Sequence, residues 1–442
     1  MMGAKRCALW RLLALAIACI APALRAQEPS SLTILHAGSV LITPGEPPAS
    51  RQTLVIADGR IVERRDGFVE AAAFGPSARV IDLSDAFVMP GLGEMHIHFA
   101  SYIGKDKVSA SLVPPARRAL DAARHARRML EAGVTLARDT GDVTGITYHL
   151  RNAINEGVVP GPRLFLAGRV LSRTGGHGVQ AYYMGSVPRP PENLGGCDGV
   201  ESCRRVVREN VDAGSDLIKI TISGSASDEW GRADAQPMLF PDEIGALAEA
   251  AHQLGRPIAM HAHSTAGIKA ALRAGVTTIE HGTYLDEESA RLFRSTGAYL
   301  VPSTWISDYI NTNLERFRSR NTPRDFEIMK KATADGMSTA VRAWRLGVPI
   351  ATGTDTACDS DPLATVRELE LWVAQGIPAA EAIKGSTMNA AAIVGEAAQL
   401  GQLKSGFRAD LIAVRGNPLA DISALRHVLF VMKDGVVVRS AP

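Results

Sequence analysis

The chain predicts an α/β protein, a closed (β/α)8 TIM barrel with a small β-sandwich domain formed by its N- and C-terminal segments. Three observations predict it. Through the middle of the chain, apolar runs of strand type alternate with helical segments, which is the pattern of a parallel sheet. Both ends instead carry short β runs joined by tight turns. Finally, residues able to bind metal fall at the ends of successive apolar runs, and a barrel builds its active site at the C-terminal ends of its strands. A doubly wound open sheet is the alternative, and the strand-end placement favours the barrel.

Residues 1–26 read as a secretory signal peptide. Lys5 and Arg6 open it, Arg11 precedes the apolar stretch Leu12–Ile20, and cleavage after Ala26 fits the polar Gln27 that follows. The apolar stretch is short for a membrane span, so an exported protein, periplasmic or secreted, is expected. No later run is long and apolar enough to span a bilayer. The signal carries Cys7 and Cys19. Of the remaining cysteines, Cys197 and Cys203 flank a short loop in which an oxidising compartment permits a disulfide, with two unpaired thiols as the other reading.

Residues 27–88 form the first part of the small β domain. Leu54–Ala57 and Arg60–Val62 are β-type runs separated by Asp58-Gly59, a strong hairpin signal. Residues 401–442 repeat the style, with Asp410–Val414, Val428–Met432 and Val436–Val438, the last two separated by a turn at Asp434-Gly435. Similar texture at both ends implies one sheet domain assembled from the two.

Residues 89–400 supply the barrel. Its expected strands are Val88–Phe99, Thr135–Arg138, Arg163–Val170, Leu217–Ile222, Pro257–His261, Thr278–Glu280, Ala298–Pro302 and Pro349–Thr352. Ala116–Ala132, Cys203–Ala213, Pro241–Leu254 and Thr265–Ala274 are helical segments, each followed by glycine, as helix C-termini often are. At 442 residues the chain can bury a large core, and 46% hydrophobic with 21% charged residues is an ordinary globular composition. The formal charge of +2 comes from the signal segment, so no basic stripe points to nucleic acid.

His96 and His98 lie one residue apart at the end of the first barrel strand, and positions i and i+2 of a strand share a face. Two imidazoles on one face suit zinc or a related cation. His-x-His alone is weak evidence, since surface histidines often produce it. What strengthens it is Lys219 inside an apolar strand, His261 and His263 after the fifth strand, His281 after the sixth and Asp355 after the eighth. A buried lysine is costly unless paired. An ion pair is the plain explanation, and a carbamate formed from the neutral amine is the other. His177 sits in a glycine-rich stretch after the third strand. His36, His125, His149, His252 and His427 have no such setting and read as surface or structural.

With these residues in view, the chain resembles the amidohydrolase superfamily, specifically its imidazolonepropionase-like and prolidase-like group of metallo-dependent hydrolases. The resemblance spans nearly the whole mature chain and includes Pro90-Gly91-Leu92 ahead of His96 and His98 and Ala409-Asp410 near the C-terminus. Glu94 departs from it, standing where relatives usually carry Asp. The resemblance implies two divalent ions, most simply Zn2+. His96, His98, Lys219 and Asp355 would hold one and Lys219, His261 and His281 the other, with a carbamate on Lys219 bridging both. It implies attack by a metal-bridging hydroxide, with Asp355 moving the proton and His177 polarising the carbonyl, while His263, His177 and Arg138 contact substrate.

The implied activity is hydrolysis of an amide or peptide bond in a dipeptide or N-acyl amino acid. An ochratoxin-type amidase releasing phenylalanine is an alternative. A mononuclear deaminase or imidazolone hydrolase is disfavoured because Ser264 stands where such relatives carry Glu. A non-enzymatic scaffold that has lost its metals would be missing ligands, and none is missing; a metal-binding protein without catalysis is the last alternative, which turnover of any dipeptide would dismiss. Specificity is expected in loops such as Ser303–Tyr309. The expected partners are a small-molecule amide or dipeptide and further copies of the chain in a homo-oligomer, with no nucleic acid.

Overall fold

Turn chemistry at the two chain ends decides how the outer sheet closes. In this computed structural model residues 32–440 are described, apart from 77, 106, 143 and 179–194, so the signal segment lies outside the described residues. The N-terminal part forms β1 (Thr33–Val40), β2 (Ala49–Ala57), β3 (Arg60–Asp66) and β4 (Arg79–Pro90). At the β2–β3 turn Asp58 and Gly59 both have positive φ, 49° and 74°, as a two-residue hairpin of right-handed twist requires. Near the C-terminus, Asp434 and Gly435 repeat this at 49° and 73°.

The barrel strands follow: β5 (Leu92–His98), β6 (Val134–Asp139), β7 (Arg163–Leu166), β8 (Val170–Leu171), β9 (Ile218–Thr221), β10 (Ile258–Ala262), β11 (Thr278–His281), β12 (Tyr299–Val301) and the short β13 (Thr356–Ala357). The chain returns to the outer sheet with β14 (Leu411–Val414), β15 (Val428–Lys433) and β16 (Val436–Ser440).

That outer sheet has the order β16-β15-β14-β4-β1-β2-β3. Strands from both chain ends join in this one sheet, as expected, and it curls on itself. Residues 406–409 pair with β3 through the Ile61 N to Phe407 O bond of 2.9 Å and the Arg60–Arg408 bridge. The curl encloses one apolar cluster that includes Leu35, Leu54, Ile56, Ile61, Leu411 and Phe430. The two hairpin tips meet there: a Cβ on Gly435 would lie 2.9 Å from the Gly59 Cα.

In the barrel β5, β6 and β7 pair in parallel, as do β8 through β12. The third strand, expected unbroken over Arg163–Val170, is in two pieces. Its first half pairs with β6 and its second with β9. The cause is a side chain in the ladder, because the Asp216 carboxylate accepts the Leu166 N–H at 2.9 Å. The eighth strand is a short irregular passage. Leu300 N bonds Pro349 O at 2.9 Å and Met95 N bonds Thr352 O at 2.9 Å, so residues 349–352 join β12 to β5 and close the barrel. Gly353 permits that squeeze, since a Cβ there would lie 2.9 Å from the His96 backbone N.

The expected helices appear as Pro115–Glu131, Val200–Asp212, Pro241–Gln253 and Thr265–Arg273. Ser303–Tyr309, expected as a loop, is instead the start of the helix Thr304–Thr312. The buried Glu368 carboxylate accepts the Thr304 N–H at 2.9 Å and the Trp305 N–H at 2.5 Å, satisfying donors that a helix start otherwise leaves open. A disulfide joins Cys197 to Cys203, with Cα atoms 4.9 Å apart, and anchors the helix Val200–Asp212 to the chain entering it. Among the described residues no helix is long and apolar enough to cross a membrane.

The hairpin contact makes a stability prediction. Gly67 has φ +78° with nothing near its missing Cβ, and Gly435 has φ +73° with backbone against it. Gly67→Ala is expected to cost about 1–2 kcal/mol for the left-handed backbone alone. Gly435→Ala is expected to cost about 1–3 kcal/mol more, from forced separation of the two ends. Urea unfolding of the two variants checks the difference, and equal losses would contradict the contact.

Candidate metal centre

Polar side chains from several strand ends meet at one rim, and hydrogen bonds fix how most of them are presented. His96 Nδ1 lies 2.8 Å from a Glu280 carboxylate oxygen, and His98 Nδ1 lies 3.0 Å from the Gly141 carbonyl. Both oxygens only accept, so the protons sit on Nδ1 and each Nε2 keeps its lone pair. Those two Nε2 atoms point at one oxygen, Asp355 Oδ1, at 3.5 and 3.2 Å. Three electron-rich atoms converging this way repel one another unless something positive lies among them. In the protein alone a proton can serve: burial pushes the His98 pKa down, but Asp355, Asp139 and the Gly141 carbonyl together raise it.

A second cluster stands beside the first. The ligand atoms of His261, His263 and His281 all lie within 4.8 Å of one another. His261 Nε2 is 2.9 Å from the Gly224 carbonyl, so its proton is there and Nδ1 is bare. Burial lowers the pKa of these imidazoles, to about 3 for His263 and well below the ordinary value for His261 and His281. His96 is lowered to about 4, chiefly by burial and then by Lys219. Neutral imidazoles are ligands rather than cations at neutral pH.

Backbone strain brings the two clusters together. Glu280 and His281 are neighbours on β11 and would normally face opposite ways. His281 has φ +69°, and this left-handed turn lets both side chains face the barrel interior. Asp355 has φ +58° and is held there by its N–H on the His96 carbonyl at 2.7 Å. Such backbone is costly for residues other than glycine and collects at functional sites. The His96 and His281 ring centroids are consequently 5.1 Å apart.

Lys219 on β9 is 3% exposed, and its Nζ has no hydrogen-bond partner among the described residues. Burial brings its pKa down to about 8, against the opposing pull of Glu280 and Asp355. A substantial share of neutral amine near pH 8 is the form that adds carbon dioxide. An orphaned amine among five groups able to bind metal, His96, His98, His261, His281 and Asp355, fits a carbamate between cations, and the donor set of neutral imidazoles and carboxylate oxygen suits zinc. His96, His98, Lys219, His261, His281 and Asp355 all line one cavity of about 290 Å³, as does His177, whose ring centroid is 4.5 Å from that of His261.

Two expected substrate contacts lie elsewhere. Arg138 is 2% exposed and absent from the cavity wall, donating to Met95 O at 2.7 Å, Thr278 Oγ1 at 3.0 Å and Glu280 Oε1 at 2.8 Å. Its side chain enters a lower layer of the barrel, where it balances the charge of Glu280. His263 also stays off the cavity wall, held by Thr283 Oγ1 at 2.8 Å and stacked on His281. The residue that sequence reasoning missed is Glu280. It orients His96, and although burial opposes ionisation, Arg138, Lys219 and His96 hold its pKa far below the carboxylate range. A carboxylate in a buried barrel strand, next to His281, was the available signal.

Residues 87–438 match the model of the amidohydrolase family. An ochratoxinase of Aspergillus niger is 33% identical over 438 residues, covering 92% of this chain and 87% of the ochratoxinase. The structure is similar to that of a Xaa-Pro dipeptidase with methionine bound in its active site, at a TM-score of 0.85 and 33% identity, covering 92% of this chain and 99% of that one. It is also similar to a prolidase complexed with N-methylphosphonate-L-proline, at 0.82 and 29%, covering 92% and 100%. The histidines and aspartate at the strand ends, the barrel and these likenesses agree: the chain belongs to the amidohydrolase family and is a hydrolase acting on carbon–nitrogen bonds.

Proposed function

We propose that the protein is a binuclear metal-dependent amidohydrolase that cleaves the amide or peptide bond of a dipeptide or N-acyl amino acid. The observation that carries this reading is the unpartnered Lys219 Nζ among converging ligand atoms. His96, His98, Lys219 and Asp355 would hold one ion and Lys219, His261 and His281 the other, with a carbamate on Lys219 shared between them. Two such ions would polarise an amide carbonyl and bring the pKa of a bound water toward neutrality.

The chain's own groups supply the rest. Asp355 would accept the proton of the attacking water and return it to the departing nitrogen. His177, on the cavity wall, would hold the carbonyl oxygen by a hydrogen bond. Glu280 would keep His96 in the tautomer that leaves Nε2 open, with Arg138 keeping Glu280 ionised. Ser264 supports the amide reading over deamination. Its Oγ accepts the Gly267 N–H at 3.2 Å as a helix cap and is committed there.

The ochratoxinase likeness supports a second reading, an amidase releasing phenylalanine from an aromatic acyl group. A buried disulfide supports export to an oxidising compartment, periplasmic or secreted.

Three measurements test this function. Zinc-loaded protein is expected to hydrolyse some member of a panel of Xaa-Pro dipeptides, N-acetyl amino acids and ochratoxin A. A chelator is expected to abolish that turnover reversibly, and full activity in metal-free protein would end the reading. Glu280→Gln is expected to weaken zinc affinity by about 10–100-fold through loss of His96 orientation, measured by competition with a chromophoric chelator. No change would show that the Glu280 contact is incidental. Finally, His261→Ala is expected to hold one ion fewer than the wild type while His263→Ala keeps the full complement, read by elemental analysis. The reverse pattern would exchange their roles.

A further inference from the structure

The cavity wall carries a cation that nothing in the metal centre uses. Arg118 lies in the first turn of the helix Pro115–Glu131 and lines the cavity beside Ala100 and Ser101. It is only 9% exposed, and no carboxylate among the described residues pairs with it. The nearby Asp121 is engaged by Arg117 at 2.8 Å, Arg124 at 3.3 Å and Tyr102 at 3.0 Å. Asp142, on the same wall, is engaged by Thr144 and by the Thr147 N–H at 2.9 Å. Asp355 faces His96 and His98.

What Arg118 does have is a scaffold. Its guanidinium donates to the Ala100 carbonyl and, at 2.5 Å, to the Ala110 carbonyl, and it lies over the Tyr102 ring at 5.2 Å. Carbonyl dipoles satisfy two of five N–H donors and leave the full charge uncompensated. Buried charges are ordinarily paired, and a planar fork of donors fits a carboxylate through two parallel bonds.

We propose that Arg118 is the carboxylate anchor of the substrate, binding the free α-carboxylate on the amine side of the scissile bond. This deepens the proposed function and rests on it, for it turns a general amidase site into one selective for peptides and N-acyl amino acids ending in a free acid. An exposed lysine could not do this as well, since the backbone carbonyls pre-position the fork and the substrate need not order it.

The test compares an acid with its carboxamide on zinc-loaded protein. The best acid substrate among the Xaa-Pro dipeptides and N-acetyl amino acids is assayed beside its C-terminal amide. Calorimetry with N-acetyl-L-phenylalanine and N-acetyl-L-phenylalaninamide gives a second arm that needs no turnover. Wild type is expected to favour the acid by roughly 10–100-fold in kcat/KM, mostly through KM. Arg118→Gln is expected to bring that ratio toward one.

Arg118→Lys keeps the charge and the packing stem if the glutamine variant does not fold. Its ratio must fall as well, because an ammonium cannot make the paired bonds. An unchanged ratio in these variants, or acid and amide falling together as a merely structural role would have it, overturns the anchor. If no amide is hydrolysed but the acid binds over the amide and only with Arg118 present, the anchor stands and the amidase reading falls. Equal binding of the two probes, or none, overturns the anchor itself.

Discussion

Burial of the Lys219 amine is the constraint on which the rest of the centre depends. At 3% exposure its Nζ has no hydrogen-bonding neighbour among the described residues, and burial takes its pKa from the ordinary 10.5 to about 8. A charge left in that position costs several kcal/mol, roughly, even after relaxation. The protein surrounds it with two carboxylates, Glu280 and Asp355, and with imidazoles kept neutral by the same burial. Each group is tolerable only because the others are present. The arrangement is therefore stiff in composition, and removing a single member leaves another buried group uncompensated.

Support for this cluster runs downward through the barrel. His96 rests on Glu280, Glu280 on Arg138 and Thr278, and Arg138 on the Met95 carbonyl of the strand that bears His96. Glu94 adds a tie across the seam, accepting His96 N and Thr354 N at 2.9 Å each and linking the first strand to the passage that carries Asp355. Left-handed backbone at His281 and Asp355 is sustained by these bonds. The centre is thus built by polar contacts that reach across the barrel interior, while the apolar layer between barrel and helices holds the strands themselves.

Much of this was legible in the sequence, for physical reasons that differ by residue. His96 and His98 could be paired because strand periodicity puts i and i+2 on one face, and Lys219 stood out as a charge in an apolar run. The hairpin glycines announced their turns. Other features were hidden. The strand pattern locates Arg138 on an inward face but not in a layer, so its place beneath the centre needed coordinates. Simple alternation turns Glu280 away from His281, and only the positive φ at His281 reconciles the two. The helix Thr304–Thr312 depends on a cap from Glu368, distant in sequence, which no local signal announces. Arg118 has no local signal of its role, since only the fold puts it against the cavity.

Anomalous diffraction at the zinc edge on crystals of the zinc-loaded protein tests the central claim most directly. The account predicts two peaks about 3.5–4 Å apart, one against His96, His98 and Asp355 and the other against His261 and His281, with extra density on the Lys219 Nζ reaching both. A single peak, or two peaks with an unmodified Lys219 amine remote from either, would contradict it.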